Sequence, residues 1–104
     1  MAARLKKQAA VMKMLSLSKP AATKAILKTA SPDLVHVLTE CCLNVLKGNV
    51  SLTPRQRKNL ARYKRIMRQL SRKSMPLKKK KQLLQTGGFL QYLLKPIVGL
   101  LSNL

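Results

Sequence analysis

Apolar residues recur at helical spacing in three stretches of the chain, and each stretch opens with its own start signal. In residues 31–47, Leu34, Val35, Leu38, Cys41, Cys42, Val45 and Leu46 form a wide apolar arc. Asp33, His36, Glu40 and Asn44 occupy the other side. Ser31 is a good N-cap, Pro32 suits the first turn, Asp33 sits near the positive end of the helix dipole, and Gly48 provides the stop. After a short link at 49–52, Thr53 starts a second helix with Pro54 at its first position and Gln56 as capping-box partner. Leu60, Tyr63, Ile66, Met67 and Leu70 share one face of it, while Arg55, Arg57, Lys58, Arg62, Lys64, Arg65, Arg68 and Arg72 fill the opposite one. Residues 71–75 end this helix, and Pro76 begins a third that carries Leu77, Leu83 and Leu84 beside the lysine run 78–81. Brief links between three such helices predict an all-α fold, a small three-helix bundle over residues 31–86.

The flanks read differently. Residues 1–30 are basic, rich in Ala and Met, and free of acids. Leu5, Ala9 and Met12 predict a weak helix to about Leu17, broken by Ser18-Lys19-Pro20, with a second short helical piece over 21–28. The expectation is a flexible or weakly helical basic arm that orders on a polyanion. No apolar run follows the first basic residues, so no secretory signal is expected. At the other end Gly87-Gly88 breaks the pattern, and the apolar stretch 89–104 follows, with Lys95-Pro96 in its middle. It is shorter than the roughly 17–25 residues that span a bilayer. Two readings stay open for this tail: a membrane-active or partner-docking segment, and a fourth helix closing the bundle.

Charge changes the picture most. Among 104 residues, 22 Lys and Arg face two acids, for a net charge of +20. Self-repulsion on that scale calls for a polyanionic partner, nucleic acid or an anionic membrane. Hydrophobic residues still make up 46% of the chain, so this is not a disordered basic tail, although aromatics are only 3%. Arg55, Arg57, Lys58, Arg62, Lys64, Arg65, Arg68, Arg72, Lys73, Lys78, Lys79, Lys80 and Lys81 are the candidate phosphate contacts. Such residues give affinity through counterion release without reading bases. Tyr63, the one aromatic of the basic helix, lies on its apolar face, so no stacking platform for single strands is expected. The runs 55–58 and 78–81 also suit nuclear-localisation signals.

Candidate chemistry is sparse. Asp33, His36 and Glu40 share a helix face, but zinc wants three or four convergent ligands and the cysteines point elsewhere. A solvated polar face is expected there, and no metal or cofactor. A disulfide between the adjacent Cys41 and Cys42 would be strained in a helix, so both are expected reduced and buried, as in an intracellular or intravirion protein. No nucleophile is positioned beside His36, and no enzyme is indicated.

A basic block, then Gly-Gly, then a short apolar tail containing Pro, as in QTGGFLQYLLKPIVGLL, resembles the precursors of the small adenovirus core protein mu (protein X). It is also similar to small basic proteins of related animal DNA viruses and Maverick/Polinton elements. The resemblance runs from the lysine run to the end of the chain. It implies DNA condensation in a virion core, with a host-nuclear stage, and a cut by a viral cysteine protease between Gly88 and Phe89, after the Gln85-Thr86-Gly87-Gly88 site. The basic part here is Lys-rich and is preceded by the helix at 31–47, which favours a folded DNA-packaging module, with self-association open to it, over a protamine-like peptide. The sequence thus divides into a basic arm (1–30), a basic helical domain (31–86) and an apolar tail (87–104). Its expected function is sequence-nonspecific binding and condensation of double-stranded DNA, with the tail free to contact capsid or membrane. The alternatives are a membrane-active basic amphipathic protein, and a cellular RNA-binding protein of nucleus or nucleolus.

Overall fold

The central helix forms where its pattern predicts. In a computed structural model that describes residues 2–86 and 88–101, it spans Pro32–Leu46. The Ser31 hydroxyl accepts the Leu34 N–H at 3.1 Å, which satisfies one orphan donor of the first turn. At the other end Gly48 adopts φ +76°, and the Gly48 and Asn49 N–H groups donate to the Val45 and Asn44 carbonyls. This is the double closure of a Schellman motif, which needs a residue free to take positive φ. A wide face of the helix is buried, with Leu34, Val35, Val37, Leu38, Thr39, Cys41, Cys42 and Val45 all inside, while Asp33, His36 and Leu43 are exposed on the other. The one buried hydroxyl among them, on Thr39, donates to the Val35 carbonyl at 2.9 Å.

Eight helices occur among the described residues: α1 (Ala2–Lys7), α2 (Ala9–Leu17), α3 (Pro20–Lys28), α4 (Pro32–Leu46), α5 (Pro54–Ala61), α6 (Lys64–Leu70), α7 (Leu77–Leu84) and α8 (Phe89–Leu101). No strand is present among them. The fold is all-α, as expected, but it is not the simple three-helix bundle of residues 31–86. Two differences explain why.

The first lies at the ends of the chain. Where the sequence suggests a basic arm, α1–α3 send Leu5, Met12, Leu15 and Leu27 into the same core as α4. Where it leaves the tail open, α8 buries Phe89, Leu90, Leu93, Leu94 and Ile97. The most extensive helix–helix packing in the molecule joins α2 to α8, so the two ends close on each other. The Gln91 amide spans this interface and donates to the Ser18 carbonyl at the end of α2, at 2.8 Å. A core confined to 31–86 would have few large side chains to bury, and the ends supply what is missing. The radius of gyration, 12.4 Å, is close to the ~13 Å of a packed domain of about 100 residues.

The second is a break in the basic helix. Residues 53–71 do not form one rod, because the chain bends at Arg62 and Tyr63 between α5 and α6. Tyr63 leaves helical geometry (φ −109°, ψ 13°) and its N–H turns back to the Leu60 carbonyl. Its ring lies against α8, with centroids 5.3 Å from Phe89 and 6.0 Å from Tyr92. Tertiary packing of one tyrosine thus overrides a regular helical period. α6 packs on α4 through the buried Met67 and Leu70, whereas α5 packs chiefly on α8.

Candidate nucleic-acid interface

The start of α5 is fixed by a complete capping box. The Thr53 hydroxyl accepts the Gln56 N–H at 3.1 Å, and the Gln56 side-chain oxygen accepts the Thr53 N–H at 2.9 Å. From that anchor α5 presents Arg55, Arg57 and Lys58 to solvent while Leu60 goes inward. Arg62 is exposed at the bend. α6 then shows Lys64, Arg65 and Arg68, and Arg72 and Lys73 follow in the exposed turn. On α7, Lys78 and Lys79 are exposed and Lys80 and Lys81 are half-buried. Among the described residues none of these thirteen cations is held in an ion pair.

All thirteen lie on consecutive elements, and α6 packs directly against α7, which sets Lys64, Arg65 and Arg68 on a helix next to the lysine run 78–81. α7 also packs against α3, whose Lys24 and Lys28 are exposed. Because of the bend at Tyr63, the arginines of α5 and α6 do not share one straight helical face. The cations therefore spread over several helices and not along one helical face. Lys95 of α8 was not among the expected phosphate-binding residues, yet it is exposed and meets α5. Its place between apolar residues carries no sign of this in the sequence.

The other candidates fall in order. His36 Nε2 lies 3.4 Å from Glu40 Oε1, one turn apart on α4, and Asp33 is exposed. Among the described residues no three His, Cys, Asp or Glu side chains converge as metal ligands. Cys41 and Cys42 are both free thiols in the core. Burial, with the Glu40 charge adding to it, pushes the Cys41 thiol up to about 12. Burial raises Cys42 as well, its neighbour Cys41 adding to the shift and a backbone hydrogen bond opposing it. Neither is a thiolate at neutral pH, so neither is poised as nucleophile or metal ligand.

Of the expected cleavage residues, Gly87 lies outside the described residues. Gly88 takes φ +80°, and Phe89 is fully buried. The bond expected to be cut therefore joins a left-handed glycine to a core residue. No described helix is long and apolar enough to cross a membrane. The chain matches no family model, no curated protein and no solved structure.

Proposed function

We propose that this chain is a sequence-nonspecific DNA-binding and DNA-condensing protein, a core or packaging protein of a virion that passes through a host nucleus. The observation that carries the reading is the split between a closed apolar core and the exposed cations of residues 55–81, which no acid of the chain neutralises among the described residues. A surface of Arg and Lys on a compact scaffold suits phosphates along a duplex, and it supplies no base-reading pattern. With its exposed cations distributed over α5, α6, α7 and the turn between α6 and α7, one copy can touch more than one DNA segment, which is what condensation requires. The exposed Lys of α1–α3 add to the same counterion release.

A membrane-active alternative asks more of the molecule. Its apolar contribution would come from α8, whose Phe89, Leu93, Leu94 and Ile97 have no exposed surface in the folded chain. Those side chains would have to leave the core first. Removal of residues 89–104 by a viral protease meets the same obstacle, so we place such a cut before final folding or after partner-induced opening of α8. RNA binding rests on the same phosphate chemistry and is separated only by measurement.

The test is a salt titration of binding on duplex DNA, duplex RNA and anionic vesicles in parallel. Tight duplex-DNA binding, a steep fall of log affinity with log salt and weak vesicle binding are the expected result. Vesicle binding that persists at high salt would make apolar insertion the main term and replace this reading.

A further inference from the structure

A cleft of about 460 Å³ opens where α5 meets α8, lined by Thr53, Arg55, Gln56, Asn59, Tyr92 and Lys95. That volume falls in the range of roughly 300–1,000 Å³ that holds small molecules. Every side chain in the lining carries a polar group, two are cations, none is an acid, and one is an aromatic ring. The other tyrosine among these cations, Tyr63, has its ring packed against Phe89 and Tyr92.

Each part is held from below. The capping box occupies the Gln56 side-chain oxygen, which leaves its amide NH2 as a donor. Asn59 is half-buried, and its carboxamide makes no hydrogen bond among the described residues, so it offers both a donor and an acceptor. Tyr92 is half-buried beside Tyr63, whose ring backs it at a centroid distance of 6.0 Å and an interplanar angle of 31°. Gly88 makes that arrangement close: a Cβ there would stand 3.3 Å from the Tyr63 hydroxyl and 3.5 Å from the Tyr92 ring. Arg55 and Lys95 come from different helices, are both exposed, and are in no ion pair among the described residues.

We infer that this cleft holds one unpaired nucleotide. Its base lies against Tyr92, its edge meets the amides of Asn59 and Gln56, and its phosphate sits between Arg55 and Lys95. The inference rests on the nucleic-acid reading of the chain and adds a base-dependent component that the cations alone do not provide. A free nucleoside monophosphate shares this chemistry, but only a strand also engages the basic surface of α5–α7, so the occupant is a nucleotide within a strand.

The experiment uses the full chain at fixed salt. It compares a labelled oligothymidylate, an abasic strand of equal length and charge, and duplex DNA, with AMP as competitor. Oligothymidylate is expected to bind about tenfold more tightly than the abasic strand, the scale of one base stacked on an aromatic side chain. Tyr92→Leu should reduce that preference to under about twofold while duplex affinity stays unchanged. Because Tyr92 also packs on Tyr63, Asn59→Leu on the surface of α5 is the second variant, expected to weaken the preference with helicity intact. Equal affinity for the thymidylate and abasic strands overturns the cleft while leaving the backbone reading standing. A retained base preference with no duplex binding would instead remove the proposed function alone. AMP that erases the preference at concentrations below those of the oligonucleotide overturns the strand assignment in favour of a free nucleotide.

Discussion

Phe89→Ala tests whether α8 is part of the fold or an appendage to it. Phe89 is the largest fully buried side chain, with no exposed surface, and its ring lies 5.3 Å from that of Tyr63 at a tilt of 47°. Truncating a buried Phe costs about 3–5 kcal/mol through the forgone transfer energy and the cavity left behind. The tilted aromatic pair accounts for about 0.5–1.5 kcal/mol of that interaction. Against a total stability of about 5–15 kcal/mol, that is a loss of about a fifth of the total or more. For a domain of this size a loss of that order lowers Tm by about 15–30 °C. Urea unfolding followed by circular dichroism, at fixed ionic strength so that self-repulsion is constant, measures it. Lys95→Ala on the same helix is the control, since it is exposed and should change stability by no more than about 0.5 kcal/mol. If Phe89→Ala stays within about 1 kcal/mol of the parent, a size no core truncation of this kind leaves, α8 does not belong to the core.

Three further outcomes follow from local structure. Thr53→Ala removes the hydroxyl that accepts the Gln56 N–H and should cost about 1 kcal/mol, read as a lower urea midpoint with the slope unchanged. Cys41 titrates near 9 when unfolded and is pushed up to about 12 by burial and Glu40, so the native state keeps its proton longer. Its contribution to stability is whole below pH 9 and is lost as pH rises from 9 towards 12, by at most about 1.4 kcal/mol per pH unit. Cys41→Ala should therefore show a shallower alkaline fall than the parent. The same protection predicts slow reaction of both thiols with a thiol reagent in the native protein and fast reaction in urea.

The parts of the fold that could be read in the sequence are those set by local chemistry. Ser31, Thr53 and Gln56 cap the helices they were expected to cap, a new helix follows the break expected at Ser18-Lys19-Pro20, beginning at Pro20 itself, and Gly48 closes α4 through its positive φ. What could not be read depends on packing between segments distant in sequence. Leu5, Met12 and Leu15 are too sparse to announce a buried face, and they become one only because α8 covers α2. The bend at Tyr63 has no breaker residue, since its cause is the ring's packing on Phe89 and Tyr92. The candidate interface was more legible than the core, because exposure of Arg and Lys needs no partner to predict it. Lys95 and Tyr92 were not legible because they sit in an apolar stretch, and only the packing of α8 on α5 sets them beside Arg55.

The central claim is that exposed cations of α5 and α6 bind DNA through phosphates, and it is tested most directly by the variant carrying Arg62→Gln, Arg65→Gln and Arg68→Gln. All three side chains are exposed, so helicity and unfolding midpoint should be retained. Removing one phosphate-binding cation lowers the slope of log affinity against log salt by about 0.9, so the duplex-DNA slope should flatten by about 2.7. A folded variant with the parent's slope would contradict the account.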